Sequence, residues 1–395
     1  MFYERNEAMI IFMIFLVIAI GAAYESLIND EFVQSKIDQI DVLHRRKLAI
    51  KIDETIHFRN VILWNNTLHL YNVTTEVRNA LQSVKSLPPY KIFYKKGSWN
   101  WLSSPYIKIH NESLDVSSLC PNGLKNEVSF VFAPWVMFNL FHLHNDNILP
   151  IVDSIRHTSV CDPITLKCKA PSVLYQYGKS QIPPLKAAEI MNLLFDHRRS
   201  WDSLPNKTCF SNLVWGRGPC LFYQHHMLKR AQAAVNALKM RVLKDLHINL
   251  IPPQESIKRA VYVTRGKSGP RSIFDATNLM TACREQGLEC FECCDWSQID
   301  LNQTITTFAN AHIVFGPHGA GLTHFIYSHP GGIMVELGPR KNWRKIFSVL
   351  AASNGDGRRI EVDIGREPWK SVDIFAARKA FAMCTKNMSN SHNNK

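Results

Sequence analysis

The chain lacks several signatures that would assign its class at once. It has no internal repeat and no Walker-type phosphate loop. Gly316, Gly319 and Gly321 do not have the Gly-x-Gly-x-x-Gly spacing of a dinucleotide turn, and they come late in the chain. Both points argue against a nicotinamide-dependent oxidoreductase. No basic run is interleaved with aromatics and no zinc-finger spacing occurs, so the net charge of +13 is not read as a nucleic-acid footprint. Anionic small substrates or a mildly basic surface fit it better. A spanning helix needs roughly 20 apolar residues, and the uncharged run Met9 to Ala23 has only 15.

That run does suit the apolar segment of a secretory signal, and Gly21-Ala22-Ala23 offers small residues for cleavage. Arg5 against Glu4 and Glu7 makes a weak positive flank. Residues 1–24 are therefore read as a type II membrane anchor or a cleaved signal, with both options open. Either sends the remainder into the secretory pathway. Six Asn-x-Ser/Thr sequons, at Asn65, Asn72, Asn111, Asn206, Asn302 and Asn387, agree with that route. So do ten cysteines. Cys161 and Cys168 flank a turn-like segment that a disulfide could staple, and Cys209 and Cys220 bracket another loop. Cys290 and Cys293 form a C-x-x-C with no second pair at ligand spacing, so disulfides and buried thiols are favoured over metal.

With 395 residues, 46% hydrophobic and 20% charged, the chain has material for two globular domains. Residues 25–60 are polar and charged and read as a stem. Short apolar bursts broken by Pro88-Pro89 and Gly97 predict strands and turns over 60–130. Val128 to Phe132 predicts a strand, Ile148 to Ile155 a helix, and Phe222 to His247 a long helix. The boundary falls near Ile251-Pro252-Pro253, giving domains over 61–252 and 253–384. From Arg259 the pattern becomes regular. Strands are expected at Ala260–Thr264, Leu288–Cys293, His312–Phe315 and Ile333–Leu337. Helices are expected at Ile273–Gln286, Leu301–Ala311 and Leu322–Tyr327. Alternation of this kind predicts an α/β fold with a parallel, doubly wound sheet. The polar tail 385–395 is expected to be disordered.

Three constellations carry chemistry. The strand near Val314 runs into Gly316-Pro-His318-Gly319-Ala320-Gly321-Leu322, a glycine turn opening a short helix. Backbone N–H groups in such a turn can hold a phosphate at the carboxyl end of a parallel strand. After Thr264 comes Arg265-Gly-Lys-Ser-Gly-Pro-Arg271, a basic loop whose guanidinium groups suit a diphosphate, or which is simply a solvated loop. Glu336 is expected to end its strand and to accept ribose hydroxyls, with a plain surface acid as the alternative. Third, His142, His144, Asn145 and Asp146 form a dense polar cluster in an apolar stretch. It is either a general base at a cleft or a capping network.

The string Gly316 to His324, the upstream Thr-Arg…Pro-Arg loop and the closing Val335-Glu336-Leu337 resemble glycosyltransferase family 61, and Asn139 to Pro150 looks like that family's N-terminal motif. The family includes core β-1,2-xylosyltransferases and O-linked N-acetylglucosaminyltransferases. The resemblance covers roughly residues 128–340. It implies a GT-B architecture of two Rossmann-like domains facing a cleft, with the donor on the C-terminal one. It implies inverting transfer of xylose or N-acetylglucosamine from a UDP-sugar to a hydroxyl of a glycan or glycoprotein, in the Golgi or endoplasmic reticulum. The closing Ser-His-Asn-Asn-Lys is no retention signal, which leans toward the Golgi. In this scheme Arg265 and Arg271 neutralise the diphosphate. His318, Gly319, Ala320, Gly321 and Leu322 line the nucleotide site, and Glu336 takes the ribose. Asp146 is the first candidate for general base and His142 the second. With no Asp-x-Asp motif, no obligatory metal is expected and cationic side chains act on the leaving group. The alternative is a catalytically inactive relative that binds a glycan or nucleotide on the same fold.

Overall fold

Short β-branched and aromatic runs cut by turn residues make the strands. In the computed structural model residues 56–392 are described, apart from 66, 72–90, 94–98, 102–105, 111–115, 121–124, 133–138, 159–160, 169–170, 176–184, 201–203, 216–220, 224, 251–257, 265–272, 294–299, 339–344 and 366–368. β1 (Ile56–Trp64) folds back on β2 (Thr67–Leu70) through Asn65, whose φ of 48° is one that Asn tolerates. β3 (Lys91–Phe93) and β4 (Trp99–Trp101) pair with each other alone. β5 (Tyr106–Ile109), β6 (Lys125–Phe132), β7 (Pro171–Tyr175), β8 (His197–Ser200) and β9 (Lys207–Trp215) complete a seven-stranded sheet ordered β5-β2-β1-β9-β6-β7-β8. β6, β7, β8 and β9 run parallel, while β1 runs antiparallel to both its neighbours.

The second half holds β10 (Arg259–Val263), β11 (Ile273–Asp275), β12 (Glu289–Cys293), β13 (Ile313–Pro317), β14 (Ile333–Gly338), β15 (Arg358–Asp363) and β16 (Trp369–Ser371). Five of them form an all-parallel sheet ordered β12-β10-β13-β14-β15. This is a Rossmann-like arrangement, and its strand order reverses between β10 and β13. Open α/β sheets bind ligands in the crevice outside the carboxyl ends of the strands at such a reversal.

The helices are α1 (Leu140–His142), α2 (Leu149–His157), α3 (Leu185–Leu194), α4 (Leu228–Asp245), α5 (Thr277–Glu285), α6 (Leu301–Ala309), α7 (Lys345–Ser353) and α8 (Ile374–His392). Val261, Val263, Val314 and Met334, on one face of the parallel sheet, share a continuous core with Val128, Phe130 and Val214 of the first sheet and with Ala231 and Leu238 of α4. Ala260, Tyr262, Phe315 and Val335 on the opposite face pack with Leu279 of α5 and Phe381 of α8. Each large apolar side chain fully buried in this way contributes about 1.5–3 kcal/mol. Residues Thr55–Lys395 form one compact unit. Lys239 of α4 ties the layers together: its buried Nζ donates to the Ser328 carbonyl and to Asn354 Oδ1 (3.0 Å), and burial lowers its pKa to about 7.

Several expectations need correction. The segment expected to be helical from Ile273 begins as strand β11, paired with β16, and Asp275 Oδ1 then accepts the Thr277 N–H (2.8 Å) to start α5. The long helix begins at Leu228, after single 3-10 turns at Leu221–Tyr223 and His225–Met227. The tail from Thr385 is not disordered as far as His392. It continues α8, because Cys384 and Met388 are buried against the parallel sheet. Cys161 pairs with Cys168, but Cys209 pairs with Cys120 rather than closing the loop to Cys220. Cys290 pairs with Cys283, and Cys293 is also disulfide-bonded, so that C-x-x-C holds no metal pair. Among the described residues no helix is long and apolar enough to cross a membrane. The apolar run Met9 to Ala23, the stem to residue 55 and the boundary at 251–257 lie outside them.

Candidate active site at the strand-order reversal

The glycine turn sits where β13 ends, beside the end of β10. Two of its glycines are there for packing. A Cβ on Gly316 would come within 2.7 Å of the Val263 carbonyl oxygen, and one on Gly321 within 2.7 Å of Val263 Cγ1. Any side chain would push the turn away from β10. The His318 N–H is spent on the Leu337 carbonyl (2.7 Å) and the Leu322 N–H on the Gly319 carbonyl (3.1 Å). Leu322 therefore offers no amide to a ligand. The 3-10 helix Ala320–Tyr327 starts here without a side-chain cap. Its leading N–H groups, at Ala320 and Gly321, precede the first internal hydrogen bond, which is the geometry that receives an anion.

Glu336 lies within β14, not at its end, and is fully buried. Its register neighbours are Gly316 on β13 and Glu361 on β15. His318 Nδ1 bonds Glu336 Oε1, and Arg359 Nε donates to Oε2 at 2.5 Å. Arg359 Nη1 also reaches Ser348 Oγ (2.9 Å) on α7 and Glu361 Oε1 (2.8 Å). A buried carboxylate is costly unless paired, and these two partners meet that cost. Both oxygens are thus engaged, where an open acid for ribose was expected.

The polar cluster 142–146 lies in one continuous helical segment. Asn139 Oδ1 accepts the N–H groups of Phe141 (3.0 Å) and His142 (3.3 Å), so the cap comes from Asn139. Leu143–Ile148 is wound as a π-helix, a form frequent at functional sites, and Pro150 just downstream has no N–H for the turn before it. Asp146 is only 1% exposed, with Oδ2 on His142 Nδ1 (2.5 Å) and Oδ1 on Asn145 Nδ2 (2.7 Å). Asn145 Oδ1 accepts the Phe222 N–H (3.0 Å). The His142 side chain is 29% exposed. Of this pair, the imidazole is the member that faces outward.

His144 plays a different part. Its Nδ1 donates to the Leu140 carbonyl (2.9 Å), which fixes the tautomer, so Nε2 accepts from the Tyr327 hydroxyl (2.8 Å). Burial lowers its pKa to about 4 and raises that of Tyr327. His324 is stacked on Phe308 at 4.6 Å, and burial, with His144 nearby, lowers its pKa to about 3. Both imidazoles are neutral packing elements joining the helical segment to the 3-10 helix.

Phe347 of α7 links the two halves of the site. Its ring lies 5.4 Å from that of His318 and 5.8 Å from that of Phe141, which is 5.6 Å from the ring of His142. The structure therefore brings His142, Asp146, His318, Gly319 to Gly321 and Glu336 to one side of the molecule. Arg265 and Arg271 lie outside the described residues, in the segment 265–272 that follows β10. Arg359, Ser348, Phe347 and Tyr327 were not anticipated. Tyr327 lay in an expected helix and the other three in a stretch with no assigned element, and neither reading marks partners. Of the sequon asparagines, Asn65 and Asn206 are exposed and adjacent, the Asn65 N–H donating to Asn206 Oδ1 (3.1 Å). Asn302 is exposed on α6, Asn387 on α8 accepts from Arg358 Nη1 (3.3 Å), and Asn72 and Asn111 lie outside the described residues. Among the described residues no group of three or more His, Cys, Asp or Glu side chains could hold a metal ion.

Comparison with protein families places the chain. A family model described as Glycosyltransferase 61 covers residues 132–335, just over half of the chain, from the end of β6 to β14. No curated protein matches the chain.

Proposed function

Since the chain belongs to glycosyltransferase family 61 and is a glycosyltransferase, we propose that it transfers a sugar from a UDP-sugar to a hydroxyl of a glycan or glycoprotein, with inversion. The observation that carries this reading is the glycine turn with its leading amides at the reversal between β10 and β13. A nucleotide diphosphate would be received by that turn, and Arg265 and Arg271, which follow β10 in the sequence, would neutralise it. The first sheet with its helical segment then forms the acceptor side of a GT-B-like pair. Xylose and N-acetylglucosamine are the sugars suggested by resemblance.

His142 is the base in this scheme, ahead of Asp146. Asp146 Oδ2 accepts a hydrogen bond from His142 Nδ1–H, which leaves Nε2 as the unprotonated ring nitrogen. Nε2 accepts the acceptor hydroxyl proton as its oxygen attacks the anomeric carbon from the face opposite the diphosphate. The bond from that carbon to the diphosphate oxygen breaks, and UDP departs with the electron pair. Arg265, Arg271 and the amides of Ala320 and Gly321 stabilise the developing charge. No obligatory cofactor is invoked. The disulfides fit an oxidising lumen such as the Golgi or endoplasmic reticulum.

The test is a thermal-shift series on residues 25–395 made in a secretory host, with nucleotides and nucleotide sugars. Selective stabilisation by UDP and one UDP-sugar is expected. A cooperatively melting protein that responds to no nucleotide would overturn the donor assignment and favour an inactive glycan-binding relative.

A further inference from the structure

We propose that the outer face of the β5-β2-β1 edge is a binding site for an acidic oligosaccharide, whose rings pack on an aromatic ladder while Lys108 and Lys207 meet its sulfate or carboxylate groups. The site lies on the seven-stranded sheet, not on the parallel sheet that carries the glycine turn, and it does not depend on the donor assignment. Along β2, Leu68 and Leu70 are buried while Thr67 and His69 are only partly so, which puts His69 on the opposite face of the sheet. Register sets Lys108 of β5 beside His69, and Trp64 of β1 between Thr67 and Lys207 of β9. Tyr71 and His110, just past β2 and β5, continue the same face.

Three features point to this ligand. The first is the ladder. The Trp64 and His69 rings lie 5.7 Å apart, His69 and His110 are stacked at 5.2 Å, and Tyr71 is stacked on His110 at 4.3 Å. His69 Nδ1 and His110 Nε2 share a hydrogen bond of 3.0 Å, which fixes both imidazoles. Trp64 nevertheless remains 47% exposed, a large aromatic area left in water. A sugar covers such a surface with its C–H face while its hydroxyls stay solvated. The second feature is charge. β5, β2, β1 and β9 are neighbours in the sheet and contain no Asp or Glu, yet they carry Lys108 and Lys207. Both lysines are exposed, and among the described residues neither Nζ meets a carboxylate. Lys207 Nζ stands 5.9 Å from the Trp64 ring centroid, so cation and platform are presented together. Burial, then the charges of His110 and Lys108, lower the His69 pKa, as expected where positive charge has no counter-ion. The third feature is spacing. Lys108 and Lys207 lie three strand spacings apart, about 14 Å. A ligand that meets both is an extended chain with repeated charge, not a single sugar or a free phosphate.

The test is calorimetry on the protein made in a secretory host, with N-glycans trimmed because the sequon residues Asn65 and Asn206 border the Trp64–Lys207 pair. The probes are a sulfated heparin tetrasaccharide, tetragalacturonate and uncharged chitotetraose. An acidic probe should bind, the tighter of the two naming the charged group, and added salt should weaken it. Chitotetraose should bind about tenfold more weakly or worse. Trp64→Ala keeps the net charge and should weaken acidic binding about 3- to 10-fold, the scale of one aromatic contact. Lys108→Glu with Lys207→Glu should weaken it by about tenfold or more. Lys229→Glu with Lys244→Glu, the same change of charge at exposed positions of α4, should leave it near wild type. Equal losses in the two charge variants, or full binding in Trp64→Ala, would reduce the interaction to net charge and overturn the site. Chitotetraose bound as tightly as the acidic probes would overturn the acidic assignment. Binding to phosphatidylserine vesicles without binding to either acidic tetrasaccharide would give the face to a lipid surface instead. UDP affinity, measured alongside, should be the same in every variant, so this inference and the donor reading fail separately.

Discussion

The molecule holds two imidazole–carboxylate pairs, and they are built in different ways. His142 and Asp146 are four residues apart on one helical segment, and the ring is 29% exposed. His318 directly follows β13 and Glu336 lies on the neighbouring parallel strand β14, the ring is 11% exposed, and Arg359 stands behind the acid. The first pair leaves an imidazole at the surface of the site with a carboxylate to steady its proton on the far side. That suits a group that must gain and release a proton within a catalytic cycle. The second pair is set in a sheet, under a helix, with a guanidinium sharing the acid. That suits a fixed support for the turn that receives an anion, where movement would cost affinity. The two pairs thus point to a division of labour, with chemistry on the helical segment and donor recognition on the parallel sheet.

The strongest way to break this division is His142→Ala. Loss of a general base predicts a fall in kcat of about 10²–10⁴-fold, with UDP affinity unchanged by calorimetry. A matching loss of UDP affinity would put His142 on the donor side and end the distinction. Asp146→Asn should have a smaller effect, about 10–100-fold on kcat, because an amide can offer N–H to Nδ1 and stabilise the wrong tautomer. Near-normal turnover in Asp146→Asn, with His142→Ala inactive, would reduce the acid to packing.

The same contrast explains what the sequence revealed. A dense polar cluster is visible in one dimension, so His142 and Asp146 stood out together, with Asp146 placed first as general base and His142 second. Which of them faces the site depends on the cap at Asn139 and on Asn145, whose side chain reaches Asp146 and the Phe222 amide. His318 and Glu336 were each singled out, one for a glycine turn and one for a strand end, but never as partners. Their contact needs the register of β13 against β14, and Arg359 needs β15 as well. The parallel alternation from Arg259 was legible because buried strands and amphipathic helices differ in period. The tail was misread because α8 buries only a narrow stripe through Ala377, Phe381, Cys384 and Met388.

The supports of the two regions also differ, and stability measurements sharpen that difference. Gly316→Ala should cost about 1–3 kcal/mol, the range for forced overpacking, because its Cβ would meet a backbone oxygen that cannot rotate away. Asn139→Ala removes a helix cap and should cost about 1 kcal/mol. Urea denaturation at constant pH measures both. An Asn139→Ala cost larger than that of Gly316→Ala would mean that the helical segment, not the sheet, is the stiffer support.

Beneath the two pairs, His144 and His324 join the helical segment to the 3-10 helix as neutral rings, and their titration tests whether the regions part together. Burial holds His144 at about 4 and His324 at about 3, below the ordinary value of 6.5. The folded state therefore binds fewer protons than the unfolded chain in the interval below 6.5. Their contribution to stability is complete above pH 6.5 and is lost as pH falls toward 4, by about 1 kcal/mol per pH unit for each ring. Urea midpoints between pH 7 and 5 should fall accordingly. In His144→Gln the decline should be shallower, since one of the two rings no longer titrates. A wild-type stability that is flat from pH 7 to 5 would mean that water reaches these rings, and that the two halves of the site separate more readily than their shared core implies.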